Sequence, residues 1–348
     1  MMRKIGAITF LLVSGAITAL GQSGRAEPLN LALPTDNDAI YRGGGAEFYQ
    51  YIVREFEGTR TTPWEGGRYG LVRNPVRTGS GLLYTRFHEG IDIRPLRRDA
   101  RGEPMDEVRA IATGTVVHVS LAPGHSSYGN YVVVEHAWDS SPYYSLYGHL
   151  RSSHVPRGAR VNRGDAIGVM GHTGHGLDRA RAHLHLELNL ILSRNFESWH
   201  SHFFKAEQNR HGLYNGINLA GLDIARLYLE LRKRPDLTIP QFLAREETAY
   251  RVVLPASPNF DLIKRYPWLL RDSSSTTAPA WEVSFNGGGV PLKVEPHAQP
   301  VQTPTLSYVR KRPGQYAGHT RGVVTGAGAN SRLSESGLRL MRLLIWPD

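Results

Sequence analysis

The chain has no cysteine among its 348 residues. This absence excludes disulfide bonds, thiolate metal ligands, a cysteine nucleophile and a lipid-modified N-terminal cysteine. Any transition-metal site must therefore be built from His, Asp or Glu side chains. An exported chain without disulfides is also more typical of a bacterial envelope than of an animal extracellular space.

Long hydrophobic runs are absent except near the start, where two basic residues precede an apolar stretch over residues 5–20. This stretch is short for a membrane span, which needs about 20 residues. Small-x-small cleavage sites follow, ending at Gly21 and at Ala26. We therefore predict that residues 1–26 are a cleaved secretory signal peptide, with an uncleaved anchor as the alternative. The mature protein is expected in the periplasm or the extracellular cell envelope, without a membrane span.

Acidic residues are outnumbered, because 41 Lys and Arg face 31 Asp and Glu, for a formal net charge of +10. Loss of the predicted signal peptide would remove three basic residues and leave the surface positive. Such a surface favours anionic partners such as cell-wall polymers, membranes or nucleic acid. We expect no nucleic-acid partner, because this exported chain has no arginine-rich helix or stacking motif. A solvated basic surface without a specific partner is the alternative.

Composition and periodicity divide the chain into segments. Residues 27–80 are rich in Gly, Pro and aromatic side chains, and we predict an extended lead-in wrapped on the next domain. Residues 81–195 show short β-type runs between turn residues, which predict a compact antiparallel β-sheet or β-roll. Beyond them we predict a helical extension over 196–271, a linker over 272–280 and a small α+β unit over 281–348. The fold class is thus mainly β with these C-terminal additions.

A strand with alternating leucines is predicted to place His183, His185 and Glu187 on its other face. Two imidazoles about 7 Å apart on one face can serve a single metal site, one as ligand and one as acid or base. With 15 histidines in the chain, such a pair is close to what chance produces. A second pair, His200 and His202, lies in an aromatic segment without this alternation, and we interpret it as structural or incidental.

Two further elements offer metal-binding or catalytic groups. His88 and Asp92 lie four residues apart, and Gly90 between them allows the backbone to turn so that both side chains converge. His149 lies at the end of another predicted strand. Each element is common by chance, and a lone strand-end histidine is more often a surface or core residue than a catalytic one.

The order of these elements is more specific than any one of them. In chain order the sequence contains His88-x3-Asp92, Tyr147-Gly148-His149-Leu150, Gly171-His172-Thr173-Gly174 and His183-Leu184-His185-Leu186-Glu187. This series resembles the lysostaphin/LytM-type zinc metallopeptidases, a family of peptidoglycan endopeptidases with a duplicated hybrid motif fold. The resemblance covers roughly residues 84–190.

The resemblance implies that His88, Asp92 and His185 are the ligands of one zinc ion per chain. It also implies that His149 and His183 are the catalytic histidines, with their individual roles left open. Two imidazoles and one carboxylate leave a fourth position for water, whose pKa the metal lowers toward about 7. The chain has no His-Glu-x-x-His motif, which argues against the helical zinc proteases.

Three more residues are candidates for supporting roles. Glu187 is predicted to orient a ligand histidine as a hydrogen-bond acceptor, with a solvent-facing side chain as the alternative. The segment before the His-x-His pair departs from the small, Gly/Pro-rich pattern of the family, because it contains Arg179 and Arg181. These arginines are predicted either to bind a substrate carboxylate or to pair with Asp178.

The predicted function is hydrolysis of peptide bonds in bacterial peptidoglycan, within stem peptides or cross-bridges, by a secreted zinc metalloendopeptidase. One alternative is a non-catalytic wall-binding or regulatory module of the same fold, a class that typically loses zinc ligands. Another is a protease of the same fold acting on protein substrates. Residues 27–80 are also predicted to fold over the cleft and restrain activity.

Overall fold

The computed structural model describes residues 28–50, 55–60, 63–79, 81–271, 277–312 and 316–347. The predicted signal peptide and the first residues of the predicted linker, 272–276, lie outside these described residues. Within them, no helix combines the length and apolar character that crossing a membrane requires.

The described residues form strands paired antiparallel throughout, with a few short helices, so the predicted mainly β class is confirmed. The helices are α1 Gly45–Phe48, α2 Phe196–Phe203, α3 Ile224–Lys233, α4 Ile239–Leu243, α5 Leu262–Arg265 and α6 Glu335–Leu343. The strands are β1 Glu55–Phe56, β2 Thr59–Arg60, β3 Gly70–Thr78, β4 Gly81–His88, β5 Ile91–Ile93, β6 Glu107–Arg109, β7 Gly114–Ser120, β8 Tyr131–Trp138, β9 Ser141–Gly148, β10 Ser152–Ser153, β11 Arg160–Val161, β12 Ala166–Val169, β13 Leu184–Ile191, β14 Leu219–Gly221, β15 Tyr250–Pro255, β16 Ala280–Phe285, β17 Pro291–His297, β18 Thr305–Val309, β19 Val324–Thr325 and β20 Arg332–Leu333.

A seven-stranded central sheet in the order β11-β7-β8-β9-β13-β14 positions the candidate site, with β5 also paired to β13. Every residue of β13 is buried. Its leucines enter the large hydrophobic core, which confirms the predicted alternation of this strand. One edge of β13 pairs with β9, and the other pairs with β5 and then with β14. This register sets His185 opposite both Asp92 on β5 and Gly148 on β9.

The predicted lead-in differs in part from an extended segment. Around residue 49 the chain does follow the central sheet, where the Gln50 N–H donates to the Asp92 carbonyl oxygen at 2.8 Å. Strand β3, however, pairs along its length with β4, so the predicted boundary at residue 80 falls inside one hairpin. The physical reason is local, since two β-type runs are joined by a short glycine-rich turn, the usual pattern of a hairpin.

The predicted helical extension, 196–271, contains α2 to α5 but also two strands. Strand β14 is the edge of the central sheet, and β15 lies inside a second sheet in the order β17-β16-β15-β18. We refer to residues 250–347, which hold this second sheet and α6, as the C-terminal unit. One continuous hydrophobic core joins the unit to the central sheet, with Phe285 and Leu343 buried in it.

Candidate metal centre

Three buried side chains meet at the end of the central sheet. The strand register brings Asp92 and His185 together, and His88 reaches them from the end of β4. His88 Nε2, Asp92 Oδ1 and His185 Nδ1 form a triangle with sides of 3.0 to 3.1 Å. Zinc bonds to nitrogen and oxygen ligands are about 2.0–2.2 Å long. Three atoms this close together can all lie at that distance from one common point.

The outward-facing ring nitrogens determine the tautomers of the two imidazoles. His88 Nδ1 lies 2.8 Å from the Arg68 carbonyl oxygen, and His185 Nε2 lies 2.7 Å from Glu187 Oε1. Because a carbonyl or a carboxylate only accepts, each of these nitrogens carries the proton and donates it. The other nitrogen of each ring therefore faces Asp92 and can give a lone pair to a cation that displaces any proton it carries. Two lone pairs and a carboxylate oxygen facing each other fit a divalent cation such as zinc.

Electrostatics at the centre favour positive charge there. Burial by itself would lower the pKa of His185, but hydrogen bonds to Asp92 and Glu187 outweigh burial and raise it to about 10. Burial would raise the pKa of Asp92, but His183, His88 and Arg73 hold it well below its ordinary value. The carboxylate is therefore ionised and available as a ligand.

Arg73 contacts the centre although the sequence analysis did not single it out. It lies on β3, and its Nη2 donates to Asp92 Oδ2, which leaves Oδ1 for the triangle. Its Nε donates to the Gly66 carbonyl oxygen at 2.8 Å, so the guanidinium is held in place from both sides. The signal that could have found Arg73 is the hairpin pattern, which places β3 beside the strand that carries His88.

His149 and His183 lie next to the triangle, with ring centroids 4.6 Å apart. His149 Nδ1 lies 2.9 Å from the Thr173 carbonyl oxygen, and His183 Nδ1 lies 2.7 Å from that of Arg181. Both Nδ1 atoms therefore donate. The Nε2 atoms face the centre, and that of His183 lies 3.3 Å from Asp92 Oδ1. Burial, with the neighbouring His183 and His185, holds the pKa of His149 well below its ordinary value. His149 is thus a neutral imidazole at pH 7.

The backbone at His149 is itself unusual. Its φ angle is 61°, in the left-handed region that residues other than glycine seldom adopt. Such strain persists only where the surroundings hold it, and it concentrates at functional sites. Here the His149 N–H donates to the Tyr128 carbonyl oxygen at 2.8 Å, while the ring is fixed by Thr173.

Glu187 lies behind His185 and is 1 % exposed, so its solvent-facing alternative is wrong. Besides His185, it accepts from the Tyr128 hydroxyl at 3.0 Å and from Asn189 Nδ2 at 2.9 Å. These three donors stabilise the ionised form, and they outweigh burial in lowering the pKa of Glu187. An ionised, fully bonded Glu187 fixes the orientation of the His185 ring.

The centre opens into a cleft of about 1210 Å³. The cleft is lined by the three candidate ligands and the two neighbouring histidines, and by segments of the β3–β4 hairpin, of the chain after α2 and of the C-terminal unit. Arg181 lines this cleft, and its Nη1 donates to the Gly176 carbonyl oxygen at 2.6 Å. Arg179 does not line it, because its Nε pairs with Glu103 at 2.6 Å. A substrate contact at these arginines stays a prediction. Asp178 accepts from the Arg181 backbone N–H at 2.9 Å.

Two imidazoles and a carboxylate, buried at the base of a cleft beside two further histidines, define a candidate metallohydrolase site. Residues 86–195 match the model of Peptidase family M23. This match confirms the predicted resemblance for this part of the chain.

Individual relatives align with parts of the chain. The peptidoglycan DD-endopeptidase ShyA of Vibrio cholerae is 36 % identical over 85 residues, which cover 23 % of this chain and only 18 % of that relative. The catalytic domain of lysostaphin from Staphylococcus simulans is 26 % identical, with a TM-score of 0.24, covering 34 % of this chain and 76 % of that one. A zinc-containing peptidase from Vibrio cholerae is 28 % identical, with a TM-score of 0.26, covering 41 % of this chain and 36 % of that one.

Proposed function

We propose that this chain is an exported zinc-dependent endopeptidase that hydrolyses peptide bonds of bacterial peptidoglycan in the cell envelope. The observation that carries the proposal is the triangle of His88, Asp92 and His185 with two further histidines, His149 and His183, beside it in one cleft. The match to Peptidase family M23 and the match to part of a DD-endopeptidase support the substrate class. The net positive charge suits an anionic wall polymer.

His88 Nε2, Asp92 Oδ1 and His185 Nδ1 would hold one zinc ion. When bound, zinc supplies Lewis acidity, which acidifies water and polarises the carbonyl of the scissile bond. A single carboxylate among the three donors leaves the centre with net positive charge. Glu187 and Arg73 maintain this arrangement, because one fixes the His185 ring and the other occupies the second oxygen of Asp92.

His149 and His183 would carry the protons. Their Nδ1 atoms are committed to backbone carbonyls, so proton transfer takes place at Nε2. An imidazole that is neutral at pH 7 can take a proton from the attacking water, and an imidazolium can return one to the leaving amine. Each ring can also donate to the developing oxyanion once it is protonated. Their division of labour between base and acid stays open.

The other predicted functions receive less support. A non-catalytic module typically lacks zinc ligands, whereas here all five predicted positions are filled and converge. No feature of the cleft favours protein over peptidoglycan substrates. Restraint of activity by residues 27–80 stays a prediction. Contacts from this segment to the centre, from the Arg68 carbonyl to His88 and from Arg73 to Asp92, support the ligands.

Mass spectrometry of peptidoglycan digests tests the proposal. The purified full-length protein is expected to hold one zinc per chain and to release muropeptides whose new termini identify the bond cleaved. Treatment with a chelator should abolish release, and added Zn²⁺ should restore it. Stoichiometric zinc without release of muropeptides from several wall types would contradict the proposal. Stimulation of a separate wall hydrolase by the zinc-free protein would favour the regulatory alternative.

A further inference from the structure

The C-terminal unit contacts the strand that carries His88. Arg321 of this unit pairs through Nη2 with Glu89, the residue next to His88, and its Nη1 donates to the Gly288 carbonyl oxygen at 3.0 Å. The same guanidinium lies 4.8 Å from the ring centroid of Phe87. One arginine thus joins a turn of the second sheet to β4 by a charge pair and a cation–π contact.

Two glycines show how closely this unit packs against the hairpin. A Cβ atom at Gly288 would lie 2.7 Å from the end of the Phe87 ring and 2.9 Å from the Tyr69 hydroxyl. A Cβ atom at Gly318 would lie 2.9 Å from the Leu83 side chain. Because a Cβ atom at either position would force these side-chain ends to shift, the two glycines permit close packing. The unit is therefore fixed against the catalytic domain.

The lining of the cleft carries more positive than negative charge. Its two carboxylates are already bound, because Arg73 pairs with Asp92 and Arg321 pairs with Glu89. The remaining arginines of the lining have no carboxylate within hydrogen-bond distance among the described residues; they are Arg86, Arg181 and Arg339. These three come from separate parts of the chain: the hairpin, the loop before β13, and α6 of the C-terminal unit.

Helix α6 contributes Arg339 to the lining of the cleft. The helix begins after Ser334, whose hydroxyl accepts from the Gly337 N–H at 2.9 Å, and its apolar face buries Met341 and Leu343. Arg339 Nε is buried without a hydrogen-bond partner. Its Nη2 lies 3.6 Å from a carboxylate oxygen of Glu335, too far for a hydrogen bond, and that Glu335 side chain is 87 % exposed. The guanidinium is thus available to a ligand in the cleft.

We infer that the C-terminal unit forms part of the substrate cleft, and that Arg339, with Arg86 and Arg181, binds carboxylates of an anionic peptide. This inference rests on the proposed function and specifies its substrate: peptides with free carboxylates, as in peptidoglycan stem peptides. Guanidinium groups bind carboxylates through charge-assisted, often paired hydrogen bonds. An excess of arginines over carboxylates in the lining of a cleft also raises the local concentration of anions.

The test compares two matched substrates. Muropeptides with free carboxylates are cleaved by the zinc-loaded full chain, alongside the same muropeptides after carbodiimide amidation of those carboxylates. The wild-type chain is expected to cleave the acidic form with a kcat/KM higher by about ten-fold or more. Arg339→Ala should remove most of this preference by raising KM for the acidic form, and Arg339→Lys should restore part of it.

Arg332→Ala is the matched control, because Arg332 is an exposed arginine of the same unit that does not line the cleft. It should leave the preference unchanged. If Arg339→Ala fails to fold, Arg86→Ala on the exposed side of β4 tests the same cluster. Equal cleavage of both substrate forms by the wild-type chain, or an equal loss on both forms in the variant, overturns this inference and leaves the proposed function standing. Cleavage of neither form overturns both.

Discussion

The chain contains two His-x-His pairs, and their surroundings differ completely. His185 lies in the buried strand β13 and His183 immediately precedes it, whereas His200 and His202 lie on α2. Successive side chains of a strand alternate, so residues two apart share a face. On a helix two residues advance by about 200°, so the second pair points to opposite sides.

The contacts of the second pair follow from this geometry. The buried His200 ring stacks on Phe204 with centroids 5.0 Å apart, and the exposed His202 ring lies 4.8 Å from Trp346. Neither ring reaches a carboxylate among the described contacts. The interpretation of this pair as structural or incidental agrees with its aromatic surroundings. Whether the two histidines of a His-x-His pair can share a metal site depends on whether they lie on a strand or on a helix.

The largest expected effect separates the two pairs directly. His185→Ala removes one of three ligands and should lower muropeptide release by about a thousand-fold or more, with loss of bound zinc. His202→Ala changes the same residue type on the exposed face of α2 and should leave release and zinc content unchanged. Metal analysis and a digestion assay on both variants measure this difference. Equal losses in the two variants would contradict the assigned ligand set.

A smaller effect is expected at the histidines that bind no metal in our proposal. His149→Ala and His183→Ala should each lower kcat by about 10²–10⁴-fold, because one proton-transfer group is lost, while the zinc content stays at one per chain. His200→Ala is the matched control, since it removes a buried histidine from the aromatic cluster and should change thermal stability rather than kcat. Loss of zinc in His183→Ala would instead make His183 a ligand.

The smallest effect concerns the carboxylate behind the first pair. Glu187→Gln keeps the shape of the side chain but weakens the acceptor for His185 Nε2–H, so zinc affinity should fall by about 10–100-fold. Glu197→Gln makes the same change on α2, where the carboxylate accepts from Asn209, and should leave zinc affinity unchanged. Competition with a chromophoric chelator measures both affinities. Unchanged zinc affinity in Glu187→Gln would contradict the role of Glu187 in orienting the His185 ring.

Local sequence patterns predicted much of the site. The alternation of apolar and polar side chains along β13 can be read from the sequence of that strand alone. The leucines determine which face His185 uses, and Gly90 permits the close approach to β13, since a Cβ atom there would lie 2.2 Å from the Leu186 carbonyl oxygen. Alternation along one strand does not predict which residue of a distant strand lies opposite each of its residues. The resemblance to a known family implied that His185 and Asp92, 93 residues apart, share one metal, but it did not give the register that sets them opposite.

The features that were not predicted from the sequence are very short strands and contacts between residues far apart in the chain. Strand β14 has three residues, too few for a periodic pattern, and its existence depends on pairing with β13. Arg73 lies in a segment interpreted as a lead-in, and its role depends on a contact with Asp92 that the hairpin creates. The charge pair between Arg321 and Glu89 spans 232 residues, a separation over which no local rule operates.

The pairing of β14 with β13 also bears on where the chain can be truncated after the candidate site. The family match ends at residue 195, but the outer edge of β13 from Asn189 to Ile191 is covered by Leu219–Gly221. A fragment that stopped at the family boundary would leave this apolar stretch with unpaired N–H and C=O groups. Such an edge is a template for intermolecular pairing and aggregation. We therefore expect the smallest stable fragment that contains the candidate site to extend beyond the family match, through β14.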